Sequence, residues 1–234
     1  MVFRRAERLG AEQGTNVWGV FTPLAIASQA ANLGQGFPTF AVPQYMKDAV
    51  AASLASDMMS QYSSHLGLLR LRAAVAGEYS AQFGRSLDAA SEVLITQGAT
   101  EGTQSSFFCF SDFHPPCAGT LACFLSFINP GDEVLVLEPC YDMYAANIGY
   151  AGGRPVYVPL RFRNDPDAAV KSSDQWYIDM AELKAAITPR TRAILFNNPH
   201  NPMGKVFSLK ELEEIRAFVI EHDLIVISDE VVRE

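Results

Sequence analysis

Apolar residues along the chain fall into short β-rich runs separated by stretches with helical periodicity. Glu92–Gln97 (EVLITQ), Glu133–Glu138 (EVLVLE), Arg154–Pro159 (RPVYVP), Arg192–Asn197 (RAILFN) and Leu224–Ser228 (LIVIS) each predict a strand. Most lack strict alternation with polar residues, which is the pattern of strands covered on both faces of a parallel sheet. Asp179–Ile187 and Leu209–His222 read as helices between them. The second is the clearer: Ser208 and Glu211 have capping-box spacing, and Leu209, Leu212, Ile215, Phe218 and Val219 form an apolar stripe. Pro43–Ser56 and Leu69–Phe83 predict two earlier amphipathic helices. Strand, helix and strand over Arg192–Ser228 make a βαβ unit, expected to be right-handed. The fold class is α/β, with an open and mostly parallel sheet.

Composition adds bounds rather than detail. With 49% hydrophobic and 19% charged residues, the 234-residue chain has enough apolar material for a sizeable core. The net charge of −8 comes from scattered acids, so neither nucleic acid nor an anionic membrane is an expected partner, because both need a basic face. No apolar run reaches the length of a membrane span. The first eight residues, MVFRRAER, are basic but lack the apolar core of a secretory signal. A cytoplasmic protein is the expectation, and a mitochondrial presequence is the weaker alternative because Glu7 and Glu12 interrupt it. Cys109, Cys117, Cys123 and Cys140 form no CxxC pair, which speaks for buried thiols in a reducing compartment rather than a metal site.

In open α/β sheets ligands sit outside the carboxyl ends of the strands. Those positions here are Gly98-Ala99-Thr100-Glu101, Pro139-Cys140-Tyr141-Asp142, Asn198-Pro199-His200-Asn201-Pro202 and Asp229-Glu230. Two X-Pro bonds in the third segment hold its backbone extended or cis and fix its asparagines in place. Asp229 ends an apolar strand, where a carboxylate is costly without a cationic or donor partner. Taken alone, Tyr141 and Trp18 also suit core aromatics, Gly36 a turn, Tyr62 a surface position and Asp229 a helix cap.

The segments NVWGVFTPLA, NLGQGFPTF, SQYSSHLGLLRLR, ITQGATEG, NPGDEVLVLEPCYDMY, AGGRPVYVPL, TRAILFNNPHNPMGKVFS and IVISDEV, in this order and spacing, resemble the fold-type-I, class I/II aminotransferases. The similarity points to the kynurenine and glutamine aminotransferase (cysteine-conjugate β-lyase) branch. The resemblance implies a pyridoxal 5'-phosphate (PLP) cofactor and the three-layer large domain of that fold, incomplete here. It divides the chain into an N-terminal arm and small-domain segment, 1–43, and a partial PLP-binding domain, 44–234. It assigns Asp229 to the pyridinium nitrogen, Asn201 to the phenolic oxygen, the Ala99 and Thr100 amides to the phosphate, and Tyr141 to the face of the ring. Tyr62 is similar to a tyrosine that reaches the phosphate in a neighbouring subunit, implying a homodimer. Gly36 and Trp18 resemble residues on the substrate side.

Three departures from the family pattern are visible. The Schiff-base lysine of the family lies beyond Glu234, and none of Lys47, Lys171, Lys184, Lys205 and Lys210 takes its place, so no catalytic residue is assigned. Val232 stands where the family has a tyrosine. Thr103–Gly119 (TQSSFFCFSDFHPPCAG) interrupts the expected phosphate-binding helix, which Pro115-Pro116 would break. A translated short intron is one reading of that insert, with Val232–Glu234 as read-through of another; a genuine lineage-specific loop is the alternative. The expected function is transfer of an amino group from an amino acid, aromatic or glutamine-like, to a 2-oxo acid. The competing expectation is a truncated, catalytically inactive aminotransferase whose sheet leaves an edge uncovered. A dinucleotide-binding dehydrogenase is a distant third, since no G-x-G-x-x-G follows the first strand.

Overall fold

The computed structural model describes residues 17–34, 40–96, 118–163 and 172–231. These fall into two compact units that divide between Ile95 and Thr96. The insert residues 103–117, together with Gly36, Ala99, Thr100 and 232–234, lie outside the described residues.

The first unit is helical, with α1 (Val17–Ala27), α2 (Gln44–Leu54), a short 3-10 turn (Asp57–Ser60) and α3 (Leu69–Phe83). Its anchor is Arg72, a buried residue of α3. The guanidinium donates to the carbonyls of Gly67, Ala89 and Ala90 at 3.2, 2.7 and 3.2 Å, tying the helix to the segment that follows it. The strand expected over Glu92–Gln97 is not found across its described part, 92–96. There the chain packs locally instead, with Ile95 N–H donating to Leu66 O at 3.0 Å. Gly67 (φ +93°) permits that approach, since a Cβ on it would lie 2.6 Å from Cβ of Ile95.

The second unit carries α4 (Ala118–Phe127), β1 (Glu133–Glu138), α5 (Met143–Tyr150), β2 (Arg154–Phe162), β3 (Trp176–Ile178), α6 (Met180–Ala185), β4 (Thr191–Asn197), α7 (Leu209–Glu221) and β5 (Ile225–Asp229). Ala118 and Gly119, taken with the insert in the sequence, belong to α4. The five strands form one sheet in the order β3-β2-β1-β4-β5, with only the β2–β3 pair antiparallel.

Period-two geometry explains how the apolar runs build three layers. In β1, Leu135 and Leu137 face a cluster with Ile194, Phe196, Leu183, Ile215 and Phe218, covered by α6 and α7. Val134 and Val136 face the opposite cluster with Phe124, Ile128, Tyr144, Ile148 and Leu195, covered by α4 and α5. Both faces are therefore dry, as continuous apolar strands require. At the amino ends of the strands, Glu133 is completely buried. It accepts from Thr188 Oγ1 at 2.6 Å and from the guanidinium groups of Arg154 and Arg190. The Thr188 hydroxyl, with the two arginines behind it, holds this carboxyl below its ordinary value in spite of its burial.

Candidate functional site

Neighbouring strands β1 and β4 send their following helices to opposite faces of the sheet: α5 lies on one side and α7 on the other. That reversal marks a topological switch point at the carboxyl ends of the strands, the general place for a ligand in an open α/β sheet. Tyr141 follows β1, Asn197 closes β4 with 198–201 following it, and Asp229 ends β5 one strand further on.

Asp229 is paired in register with Asn197 across the β4–β5 ladder. Its carboxylate Oδ2 accepts from the hydroxyl of Tyr144, and Oδ1 accepts from Val231 N–H at 3.1 Å. The Asp229 carbonyl accepts from Asn198 N–H at 3.0 Å and from the side-chain amide of Asn197 at 2.9 Å. Asn197 is itself buried, and its Oδ1 accepts from Asn201 N–H at 2.6 Å. One amide side chain thus fixes the backbone of both Asp229 and Asn201.

Beyond Asn197 the chain turns sharply. Asn198–Pro199 and Asn201–Pro202 are cis, and His200 and Lys205 form an antiparallel bridge closed by Gly204 at φ +64°. Asn198 Oδ1 accepts from Phe207 N–H at 3.1 Å, so both asparagines before the first proline are used structurally. Asn201 itself is exposed. Lys205 is only 2% exposed: Nζ lies 2.9 Å from Glu211 Oε1 and 4.9 Å from the Phe207 ring centroid. Burial, and the Lys205 charge beside it, push the His200 imidazole below its ordinary value, which favours its neutral form.

Tyr141 is half-buried and meets Tyr144 edge-on, with ring centroids 5.6 Å apart and planes at 76°. Its neighbour Cys140 is free and half-buried. Burial, reinforced by Glu138 and Asp142, pushes the Cys140 thiol up to about 11. It is no nucleophile at neutral pH. A cavity of about 300 Å³ lies beside the start of α7, lined by Arg163, Asp174, Lys205, Lys210, Glu211 and Glu214. Its lining holds three basic and three acidic side chains, so its charges balance.

Of the sequence candidates, the structure brings Tyr141, Asn201 and Asp229 to the carboxyl ends of adjacent strands. Trp18 is half-buried in α1, and Tyr62 is fully exposed after the 3-10 turn; both belong to the first unit. Sequence reasoning missed Tyr144 and Asn197. Each carried a signal: Tyr144 lies one helical turn beyond Tyr141, and Asn197 is a polar residue closing a buried apolar strand. Among the described residues no helix is long and apolar enough to cross a membrane.

Comparison with known proteins identifies the family of the chain. The sequence pattern of the family "Aminotransferase class I and II" matches residues 28–231. Kynurenine–oxoglutarate transaminase of Dictyostelium discoideum is 41% identical over 93% of this chain and 48% of its own length. Kynurenine–oxoglutarate transaminase 1 of Mus musculus is 36% identical over 92% of this chain and 47% of its own. Among solved structures, N-succinyldiaminopimelate aminotransferase from Mycobacterium tuberculosis superposes with a TM-score of 0.76 at 35% identity, over 93% of this chain and 50% of that one. The chain spans about half the length of the curated relatives it matches. It belongs to the class I and II aminotransferases.

Proposed function

We propose that this protein is a PLP-dependent aminotransferase, moving an amino group from an amino acid to a 2-oxo acid, and that the switch point at the carboxyl ends of β1, β4 and β5 holds the pyridine ring. The observation that carries the reading is the Asp229 carboxylate, held at a strand end by donors on each oxygen while both oxygens retain lone pairs for a further partner. A carboxylate, an exposed amide and a half-buried phenol ring at one switch point suit a flat heteroaromatic ring with a protonated nitrogen.

Each residue then has a physical task. Asp229 accepts from the ring N–H, and its negative charge keeps the proton there. Asn201 donates to the phenolic oxygen. Tyr141 stacks on the ring and excludes water from that face. By resemblance to the family, the Ala99 and Thr100 amides are assigned to the phosphate, and Trp18 and Gly36 to the substrate. When bound, the cofactor supplies an electron sink for the charge left at the substrate Cα after proton loss. The names of the relatives favour kynurenine as donor and oxoglutarate as acceptor. Full exposure of Tyr62 suits a contribution to a second copy's site in a homodimer.

A second reading, that this chain alone binds PLP without catalysing transfer, is favoured by the state of Lys205. Although only four residues from Asn201, it is buried against Glu211.

The test is a spectroscopic titration of the 234-residue chain with PLP, followed by borohydride reduction and peptide mapping. Saturable binding that Asp229→Ala weakens by about ten-fold or more, the loss of one charge-assisted bond, supports the site. Equal binding by wild type and variant would remove Asp229 from it. A lysine labelled after reduction, together with turnover of kynurenine and oxoglutarate, would exclude the second reading.

A further inference from the structure

Tyr144 is 1% exposed, enclosed by Phe124, Val134, Val136 and Ile148. A phenol buried so deeply needs a partner for its hydroxyl. Here the partner is the Asp229 carboxylate, at the end of a strand separated from β1 by β4. The same ring also abuts Tyr141 edge-on.

We propose that Tyr144 is a positioning residue for the cofactor ring, fixing through one side chain both the carboxylate that meets the ring nitrogen and the aromatic that covers its face. The proposal rests on the PLP reading above. A carboxylate at a strand end turns readily about its last torsion, whose profile is broad. A hydroxyl on Oδ2 and the Val231 amide on Oδ1 remove that freedom and set the carboxylate plane before any ligand arrives.

Tyr144→Phe removes the hydroxyl and keeps the ring, its burial and its contact with Tyr141. Affinities for PLP, and for deaza-PLP with carbon in place of the ring nitrogen, are measured on the 234-residue chain and the variant. The variant is expected to lose about ten-fold for PLP and less than about two-fold for the deaza analogue, because the hydroxyl acts through Asp229 and the analogue offers Asp229 nothing to hold. Equal losses for both ligands would mean a merely structural role and overturn the assignment, as would no loss for either. In an Asp229→Ala background the Tyr144→Phe change must have no further effect on PLP affinity; a further loss overturns the coupling. An unchanged unfolding midpoint for Tyr144→Phe establishes that binding is compared between folded proteins. Failure of the wild-type chain to bind PLP at all is a distinct result: it removes the functional reading, and this assignment with it.

Discussion

At the scale of single residues, the site is held by side chains that need never touch a ligand. Asn197 is the plainest case, since its amide spans from the Asp229 carbonyl to the Asn201 N–H. Asn197→Ala leaves that N–H without its partner, whereas the Asp229 carbonyl keeps its bond from Asn198. The expected cost is about 1 kcal/mol, the net worth of one intramolecular hydrogen bond, read from urea unfolding. A loss below about 0.5 kcal/mol would mean that water replaces the amide. The placement of Asp229, Asn201 and Tyr141 at strand ends was legible because each follows or closes an apolar run in a recognisable segment. Tyr144 and Asn197 carried only local hints, because their roles depend on hydrogen bonds across 85 and 32 positions of sequence. No local pattern encodes those pairings.

Among the elements, α7 was the most legible, and its first turn shows why. The Ser208–Glu211 capping box is present, with Ser208 N–H donating to Glu211 Oε2 at 2.8 Å. The sequence could not reveal that Glu211 also pairs with the buried Lys205. Ser208→Ala should cost about 1 kcal/mol, as cap losses do. Glu211→Gln should cost about 3 kcal/mol, because it leaves an ammonium buried without its counter-charge. Thermal unfolding of the two variants checks the ranking, and equal midpoints would contradict the shared role. The mistaken strand at Glu92–Gln97 has a matching explanation. Periodicity reports an extended apolar segment, but not whether a ladder partner lies alongside, and Ile95 finds a loop carbonyl instead.

Over the whole molecule, the three-layer second unit follows from runs apolar on both faces, and that much could be read directly. The strand order could not, because nothing local states that β1 lies between β2 and β4. Glu133 marks that central position at the amino ends of the strands, with Arg154 from β2 and Arg190 from just before β4 converging on it. Its folded-state carboxyl lies below its ordinary value, so the stability it contributes is present above the unfolded pKa and lost as pH falls through the folded one. Wild-type midpoints should therefore drop on acidification below about pH 4, the ordinary carboxylate range. Glu133→Gln should be about 2 kcal/mol less stable at pH 7, the loss of charge-assisted bonds, and show a flatter acid limb. Parallel acid limbs for the two proteins would remove Glu133 from the pH response.

The sequestered Lys205 has a consequence for chemical selectivity. On the proposed PLP reading, the cofactor aldehyde would react with any accessible free amine, and the loop carrying Asn201 brings a lysine only four residues away. With that amine held between Glu211 and Phe207, a reactive carbonyl compound bound as proposed would not be captured by the loop. Ion pairing at the start of α7 thereby acts as a protecting group, one that the fold installs on the protein's own nucleophile.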